Sequence, residues 1–475
     1  MNQQEARLIK NTLIFAVGSF GSRILSFIIV PLYSYYINTE AFGIYDLIIT
    51  TVSMLTPIIT LQISDGVYRW LIDGKNDQRK VISTALRLLF ASLAAASAAF
   101  FAISRRVDVP YFWGVWVYCL FSMTYGVVQQ MIRGLGYNKL YSLGGLAYTI
   151  VLLSLNVVGL IVLRLGVETL LYSAAIASAV CLIIFFRKLD IVSALAVGSD
   201  ADIRRDMILY SLPLIPNVIC WWVINSVDRY MIRYFIGPDA NGIYSMAAKY
   251  PTIITVITGI FYLAWQESAI KEYDTPNRNE FFSAIFNQYN KLLFSTVMVC
   301  IPLIKLFIVV TMEQSYKGAW EYTGLLMLGC AFSALCSFLG IAYNISKDTK
   351  NAFYTTLIAA AVDALLNLIF MKRFGLQVAS LSTFFSYVVL FAVRLEDCKK
   401  YFKLTVRWKE FAGLFMGAFA VFLLSFRLDV AGSAAATVAL IVVWFILNRG
   451  IVLRYGKGAV RKVAKMIQSR RGTAS

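Results

Sequence analysis

Long apolar runs separated by short polar segments dominate the pattern of residues along this chain. A helix needs about 20 apolar residues to cross a hydrocarbon core roughly 30 Å thick, whereas a barrel strand leaves only weak alternation over about ten residues. The length of the runs therefore predicts an all-α polytopic membrane protein. About fourteen transmembrane helices are predicted, near residues 11–37, 43–67, 83–104, 111–132, 143–163, 168–186, 207–236, 242–266, 292–312, 320–344, 352–371, 376–394, 410–426 and 431–448.

The positive charges between the runs alternate strongly along the chain. One set of segments, which includes both termini, holds about 31 Lys and Arg residues, and the alternate set holds about seven. Lys and Arg are enriched on the cytoplasmic side of a membrane protein. This asymmetry, with an even number of spans, predicts that both termini are cytoplasmic.

A short segment near the start of the chain is repeated in its second half. Residues 35–45 (YYINTEAFGIY) align without a gap on residues 234–244 (YFIGPDANGIY), and both end in Gly-Ile-Tyr. Each segment joins two predicted helices by a short external hairpin, which indicates parallel repeats, as in transporters whose halves are related about the membrane normal. Chance similarity between apolar sequences is the alternative.

The repeat predicts two pseudo-symmetric six-helix lobes followed by a C-terminal helix pair. The predicted bounds are residues 1–186 for the N-lobe, 187–206 for a cytoplasmic linker, 207–394 for the C-lobe, 395–448 for the additional pair and 449–475 for a basic cytoplasmic tail. The tail either lies on the anionic cytoplasmic leaflet or is a solvated segment that only sets orientation.

Composition supports a membrane protein and argues against most enzyme classes. The chain is 59% apolar and 15% charged, compared with about 45–50% and about 25% in soluble domains. The net charge of +18 could indicate nucleic-acid binding, but the charges lie between apolar runs, as orientation signals do. Histidine, C-x-x-C pairs and a P-loop motif are all absent from the sequence. No imidazole relay, zinc site or ATP hydrolysis is therefore expected, and the short predicted external loops leave little room for a glycosyltransferase site.

Five polar residues lie at predicted membrane depth, four in the first predicted helices of the two lobes and one in the second helix of the C-lobe. Asn225, Arg229 and Arg233 recur every four residues and so share one helical face. Lys249 lies in the next predicted helix, and Arg23 lies mid-way along the first one, among small residues. Charges at this depth usually face a bundle interior or a wet cavity, and arginine forks suit phosphate oxygens. We predict a cationic substrate-binding seam; the alternatives are a structural ion pair at Arg23 and Arg229, and snorkelling at the other two cations.

Three further polar residues are candidates for a coupling-ion site. Asp363 and Asn367 share one face of the eleventh predicted helix, with Asp363 near mid-depth. Asp228 adjoins Arg229 in sequence but points about 100° around the helix. These carboxylates could bind a proton or a sodium ion. Alternatively, Asp228 neutralises a neighbouring cation and Asn367 bonds across helices.

Polar residues at the predicted cytoplasmic ends of two helices are candidates for a gate. Gln62, Asp65 and Arg69 lie on one face at the end of the second predicted helix, and Glu267 ends the eighth at the related place. Pairing between them would close the cytoplasmic side of a cavity. A solvated helix end is the alternative.

The order of several motifs resembles one transporter family. They are the opening helix KNTLIFAVGSFGSRILSFIIVPL, the hairpin AFGIY, the run NSVDRYMI and its continuation GIYSMAAK. With them the chain resembles the Wzx-type oligosaccharide (polysaccharide repeat-unit) flippases of the multidrug/oligosaccharidyl-lipid/polysaccharide (MOP) exporter superfamily. The resemblance covers nearly all of the chain and implies a MATE-like fold, and Arg23 and Arg229 match the cavity positions that receive a diphosphate.

The resemblance also implies what the protein acts on and where. The implied substrate is undecaprenyl-diphosphate-linked oligosaccharide, moved across the bacterial inner membrane by alternating access, with a polysaccharide polymerase and glycosyltransferases as possible partners. No cofactor is implied, although coupling to H⁺, to Na⁺ or to the membrane potential is possible. A lipid II flippase and a cation-coupled multidrug antiporter of the same superfamily are the alternatives.

Overall fold

The computed structural model describes residues 21–22, 25–346 and 348–471 of the chain. Every regular element in this part of the chain is helical, which confirms the all-α prediction. Apolar runs dictate this outcome, because a helix satisfies all of its backbone hydrogen bonds internally in a medium without water.

The first half of the described chain forms a lobe followed by two short helices. Its elements are Val30–Tyr36 (α1), Thr39–Ile59 (α2), Ile63–Asp73 (α3), Gln78–Ser104 (α4), Phe112–Gly134 (α5), Asn138–Val157 (α6), Glu168–Leu189 (α7), Ile191–Ala196 (α8) and Ala201–Ser211 (α9). We call α1–α7 the N-lobe. Its core lies between α3, α4, α5 and α7, around Ile63, Leu86, Val128 and Phe185.

The second half forms a matching lobe and an additional helix pair. Its elements are Ile215–Phe235 (α10), Pro238–Ala247 (α11), Thr252–Glu272 (α12), Arg278–Thr311 (α13), Trp320–Ser346 (α14), Thr349–Phe374 (α15), Gln377–Asp397 (α16), Trp408–Ser425 (α17) and Val430–Arg471 (α18). We call α10–α16 the C-lobe. Its core is aromatic, with the rings of Phe286, Phe294, Phe332, Phe338 and Phe391 in edge-on contact.

Within the described residues, twelve helical segments are long and apolar enough to cross a bilayer. Residues 11–20 and 23–24 of the first predicted span lie outside the described residues, and Leu25–Tyr36 is a shorter apolar helix. The predicted span 242–266 is divided at residues 248–251, where Pro251 caps the start of α12. Proline has no N–H for a helical hydrogen bond, so a break at this position is expected. The multi-pass architecture is confirmed, and the count of fourteen stays a prediction.

The additional pair α17–α18 is attached to the C-lobe through α13. Three side chains spaced four residues apart on α13, those of Asn279, Ser283 and Asn287, bond the backbone of the extended segment 403–407 at 2.9–3.0 Å. Further along α13, Ser295 accepts a hydrogen bond from Asn448 Nδ2 at 2.9 Å. One helix face therefore positions both the connection to the pair and its last helix.

The two lobes touch through two glycines of the repeated segment. A Cβ atom at Gly43 would lie 2.0 Å from the carbonyl oxygen of Pro238, and one at Gly242 would lie 1.9 Å from the carbonyl oxygen of Thr39. Asn241 Nδ2 donates to the Gly43 carbonyl at 2.8 Å. Helices α2 and α11 thus cross backbone to backbone, with equivalent residues of the two repeats in reciprocal contact. We call this end of the bundle the hairpin end.

Candidate substrate cavity

Arg229 is held between carboxylates of both lobes. Its Nε lies 3.0 Å from Asp46 Oδ2 of α2, and its Nη1 lies 3.0 Å from Asp228 Oδ1 and 2.6 Å from the Asn225 carbonyl oxygen of α10. The guanidinium also lies 5.8 Å from the ring centre of Tyr244. Arg229 therefore joins the lobes close to their glycine crossing. Asp46 directly follows the repeated Gly-Ile-Tyr triplet, but nothing in the local sequence pattern indicates that it pairs with Arg229.

Asp228 is buried within the same cluster. Its Oδ2 accepts a hydrogen bond from the Tyr244 hydroxyl at 2.5 Å, and its Oδ1 contacts Arg229. This arrangement matches the alternative in which Asp228 neutralises a neighbouring cation. A role in ion coupling stays a prediction.

The three side chains spaced four residues apart on α10 do not form one cluster. Asn225 Oδ1 accepts a hydrogen bond from the Tyr387 hydroxyl of α16 at 2.7 Å. Arg229 pairs with Asp46, as described above. Arg233 is exposed and borders an apolar groove of about 590 Å³ lined mainly by residues of α2, α4 and α5. The three side chains on this helical face therefore have separate surroundings: Asn225 contacts the C-lobe, Arg229 contacts the N-lobe, and Arg233 borders the groove.

Lys249 faces a polar, aromatic cavity of about 460 Å³, which we call the N-cavity. The cavity is lined by the tyrosines Tyr33, Tyr45, Tyr118 and Tyr148 and by Asn156, among others. Lys249 Nζ lies 5.4 Å from the Phe42 ring centre and forms no salt bridge with a described carboxylate. Asp46 attracts its charge only from beyond salt-bridge distance and is itself engaged by Arg229. Lys249 thus brings an unpaired positive charge to a chamber rich in hydroxyl groups and ring faces.

A second cavity of about 490 Å³, which we call the C-cavity, lies among α10, α12, α14, α15 and α16. Thr255 lines both cavities, so the first turns of α12 separate them. Trp221, Tyr262, Asn344 and Arg394 are among the residues of the C-cavity wall. From the sequence pattern, Arg394 is expected only to contribute to membrane orientation, because it lies in the last turn of a predicted helix.

Asp363 and Asn367 form a fully buried polar pair on α15. Asn367 Nδ2 lies 3.0 Å from the Asp363 carbonyl oxygen and 3.3 Å from Asp363 Oδ2. Both residues also carry an Oδ1 atom without a hydrogen-bond partner among the described residues. Helix α15 packs on α10, which carries Asp228. The i, i+4 pairing is thus observed, and a proton or small cation on these oxygens stays a prediction.

The proposed gate residues make contacts within their own part of the N-lobe. Gln62 Nε2 donates to Asp65 Oδ2 at 2.9 Å, at the bend between α2 and α3. Arg69 instead pairs with Asp73 at 3.1 Å, and both side chains are exposed. The side chain of Glu267 lies outside the described part of the chain. Gating by these residues stays a prediction.

Arg23, the other predicted diphosphate ligand, lies outside the described residues. Among the described residues, no group of three or more His, Cys, Asp or Glu side chains could hold a metal ion. Among the described residues, the charged groups that line the N-cavity and the C-cavity are Lys249 and Arg394, whereas Arg229 lines neither cavity and is neutralised by Asp46 and Asp228.

Comparisons with known proteins agree with this architecture. The family described as polysaccharide biosynthesis protein matches residues 8–265, more than half of the chain. No curated protein sequence matches the chain. Among solved structures, the chain is similar to the lipid II flippase MurJ in an inward closed conformation, with a TM-score of 0.70 and 14% identity over 93% of this chain and 100% of that one.

Two multidrug-type transporters are similar in fold as well. An inward-facing multidrug resistance MATE family transporter of the MOP superfamily has a TM-score of 0.62 and 12% identity over 80% of this chain and 95% of that one. A MOP superfamily transporter from Pyrococcus furiosus, whose binding pocket is described as reversed in polarity, has a TM-score of 0.57 and 12% identity over 87% and 95%. Because the family match covers more than half of its length, the chain belongs to the polysaccharide biosynthesis protein family, and its fold is similar to those of the lipid II flippase MurJ and of MOP superfamily transporters.

Proposed function

We propose that this protein moves undecaprenyl-diphosphate-linked oligosaccharide from the cytoplasmic to the outer leaflet of the bacterial inner membrane, for the assembly of cell-surface polysaccharide. One observation carries the proposal. Between two lobes of this family's fold lies a hydroxyl-rich, aromatic chamber whose cation, Lys249, has no carboxylate partner in the described part of the chain. Such a chamber suits a substrate that combines negative charge with sugar hydroxyl groups.

The physical problem is the transfer of a charged headgroup across hydrocarbon. A diphosphate carries about two negative charges, and removing them from water without compensation is prohibitive. Fixed cations in a cavity offset that cost while the polyprenyl chain stays in lipid. An inside-negative potential favours outward movement of an anion by about 2.3 kcal/mol per charge per 100 mV.

The arginines of the predicted seam have distinct places in this proposal. Arg23 would contact the diphosphate directly. Arg229 is engaged by Asp46 and Asp228 when the hairpin ends touch. Separation of the lobes would remove Asp46 and leave Arg229 available to the substrate, so that loading and opening are coupled by alternating access.

Coupling to an ion is a further part of the proposal. The buried oxygens of Asp363 and Asn367 that lack hydrogen-bond partners would hold a proton or Na⁺, with Asp228 on the helix packed against them. The membrane potential alone is the alternative driving force. We also propose that both termini are cytoplasmic, and that a polysaccharide polymerase and glycosyltransferases are partners.

Lipid II is a second candidate substrate, because the fold is similar to that of a lipid II flippase over the whole of that chain. A multidrug cation antiporter is disfavoured, because the unpaired charges lining the cavities are positive.

Transport by the full-length protein in proteoliposomes tests these assignments. The assay compares a lipid-linked oligosaccharide, lipid II and a cationic dye, using the native chain, Lys249→Gln and the exposed control Lys372→Gln. We expect the native chain and the control to move the lipid-linked oligosaccharide, and Lys249→Gln to lose roughly 90% or more of this activity. Preferential transport of lipid II would favour the second candidate, and transport of the dye alone would refute both.

A further inference from the structure

Arg394 is a buried arginine, and among the residues that the structure describes no carboxylate forms a salt bridge with it. It is 4% exposed, although it lies in the last turn of α16. Its Nη1 donates to the Cys336 carbonyl at 2.9 Å, its Nη2 to Thr356 Oγ1 at 3.0 Å and its Nε to Thr355 Oγ1 at 3.3 Å. All three acceptors are neutral. Two of the five guanidinium N–H groups are not used by these bonds.

Two described carboxylates at this end of the bundle, Asp397 and Asp348, are engaged by other donors. Asp397 accepts hydrogen bonds from the Tyr343 hydroxyl at 2.8 Å and from Lys400 Nζ at 2.9 Å. Asp348 accepts one from the Tyr401 hydroxyl at 2.6 Å, and this bond, together with one from a backbone N–H, keeps the pKa of Asp348 below its ordinary value. Both carboxylates are thus committed to groups other than Arg394.

A buried charge without a counter-ion is costly, and in a membrane bundle such a group usually marks a substrate pathway. The contrast with Arg229, which two carboxylates neutralise, is direct. The three neutral contacts of Arg394 hold its guanidinium in one orientation but leave its charge uncompensated. An anion entering the C-cavity would supply the missing charge.

The position of Arg394 and its surroundings indicate the class of anion. It lies about one turn from the end of α16, where that helix leaves the bundle at the end opposite the hairpins. Lipid phosphates lie at this level of a bilayer, at the edge of the hydrocarbon core. The guanidinium also lies 5.6 Å from the ring centres of Trp221 and Tyr343, and Asn344 and Ser337 line the same cavity. Ring faces and small polar groups beside a guanidinium fork suit a phosphate joined to a sugar.

We propose that Arg394 and the C-cavity form a loading site that binds the diphosphate of the substrate before it reaches Lys249 in the N-cavity. This inference rests on the proposed function. The shared chemistry is a diphosphate anion, which could be a lipid headgroup or free pyrophosphate. When the diphosphate binds, its oxygens would form charge-assisted hydrogen bonds with the guanidinium of Arg394. The three neutral contacts of the guanidinium would be retained.

Equilibrium binding to the full-length protein in lipid nanodiscs tests the site. The probes are geranylgeranyl diphosphate, inorganic pyrophosphate and the neutral alcohol geranylgeraniol. We expect Arg394→Gln to raise the Kd for diphosphate roughly 10- to 100-fold, and Arg394→Lys to have an intermediate effect because it keeps the charge but loses the fork. Tighter binding of geranylgeranyl diphosphate than of pyrophosphate would identify a lipid headgroup, and equal binding a free diphosphate.

Variants at two other positions keep the test decisive if Arg394→Gln does not fold. Ser337→Asp adds a carboxylate to the cavity wall and leaves Arg394 in place, so it should weaken diphosphate binding more than the neutral Ser337→Asn of similar size. Arg133→Gln is the matched control, because Arg133 also contacts tyrosine rings, at 4.6 Å and 5.8 Å, and is not among the residues that line the C-cavity.

The outcomes separate this inference from the proposed function. Unchanged affinity in Arg394→Gln and Ser337→Asp, or equal binding of the neutral alcohol, would overturn the loading site even if the native chain transports lipid-linked oligosaccharide. Loss of diphosphate binding in both variants, with no transport of any lipid-linked sugar by the native chain, would support the anion site and refute the proposed function.

Discussion

At the scale of single residues, Arg229 illustrates how a charge can be buried between two lobes. Asp46 and Asp228 compensate it at 3.0 Å each, and the Tyr244 hydroxyl occupies the remaining oxygen of Asp228. Removing one partner from a buried pair is expensive because the other charge is left without compensation. The cluster therefore stabilises the closed hairpin end and is broken only when the lobes move apart.

Replacing Asp46 should show how strongly the stability of the closed hairpin end depends on the pairing of Arg229. We expect Asp46→Asn to lower the free energy of unfolding by about 1–3 kcal/mol, less than the roughly 3–5 kcal/mol for complete loss of a buried pair, because Arg229 keeps Asp228. The exposed Arg69–Asp73 pair provides the control, and Asp73→Asn should change stability by less than about 1 kcal/mol. Thermal or denaturant unfolding in detergent measures both, and equal effects would contradict the assignment.

Lys305 is a buried cation with a structural role. Its Nζ donates to the carbonyl oxygens of Ser425 at 2.6 Å and Leu428 at 2.5 Å, where α17 ends, and lies 4.2 Å from the Trp320 ring centre. A positive charge at a helix C-terminus is favourable and satisfies carbonyls that lack intrahelical partners. Lys305 therefore attaches the end of α17 to α13.

Lys305→Met should weaken this attachment without affecting transport chemistry. Hydrogen bonds to charged groups contribute about 1.5–3 kcal/mol, so we expect a loss of that order in the free energy of unfolding. Transport per folded molecule should stay at the native level. The exposed Lys372→Met serves as the control, and a Lys305→Met protein as stable as this control would show that the two carbonyls are satisfied by other means.

At the scale of elements, the crossing of α2 and α11 depends on the absence of side chains at Gly43 and Gly242. Each glycine faces a backbone carbonyl of the opposite helix at a distance that no Cβ atom could occupy. Backbone cannot shift as a flexible side chain can, so any larger residue forces the helices apart. Thr39 donates a hydrogen bond to Asp239 at 2.6 Å beside the crossing, so the distance between these two residues indicates whether the helices remain in contact.

Gly43→Ala and Gly242→Ala should therefore separate the hairpin ends. We expect each to lower the free energy of unfolding by about 1–3 kcal/mol and to reduce the yield of a disulfide between Thr39→Cys and Asp239→Cys. Gly126→Ala is the matched control, because its added Cβ meets no atom within 4 Å, and it should be neutral or stabilising by about 0.5–1 kcal/mol. Undiminished cross-linking in the Gly43 and Gly242 variants would rule out a tight crossing.

At the scale of the whole molecule, the asymmetry of Lys and Arg predicts the orientation in the membrane. We expect Asp108→Cys, in the exposed segment between α4 and α5, to react with a membrane-impermeant thiol reagent from outside the inner membrane. Asp274→Cys, between α12 and α13, should react only from the cytoplasmic side. The unmodified chain is the control, since its seven cysteines are buried or partly buried. The reverse labelling pattern would show that the chain has the opposite orientation in the membrane and would contradict the proposal of cytoplasmic termini.

The fold could be predicted largely because its main signals are local. Apolar runs of sufficient length must form helices in a membrane, and the Gly-Ile-Tyr repeat predicted the pseudo-symmetry seen in the reciprocal contact of Gly43 and Gly242. The interruption before Pro251 was missed because both parts of that run are apolar. A window that averages hydropathy cannot detect one missing backbone donor.

The site was predicted less completely because its contacts lie between elements distant in sequence. The buried charge of Arg229 was expected, but its partner Asp46 belongs to another lobe, and no spacing rule connects the two. Arg394 is at a helix end, where an arginine ordinarily marks orientation, and only the packing of α10, α14, α15 and α16 makes it part of a cavity wall.

Membrane insertion, helical class and repeat symmetry can thus be read from the primary structure, because each follows from the composition and spacing of neighbouring residues. Which charges are neutralised and which remain available to a ligand depends on how the helices pack, because a carboxylate compensates a cation only within a few ångströms. That difference separates Arg229 from Lys249 and Arg394: the adjacent Asp228 suggests one partner for Arg229, but no local pattern indicates Asp46 as the other or shows that the remaining two cations line cavities.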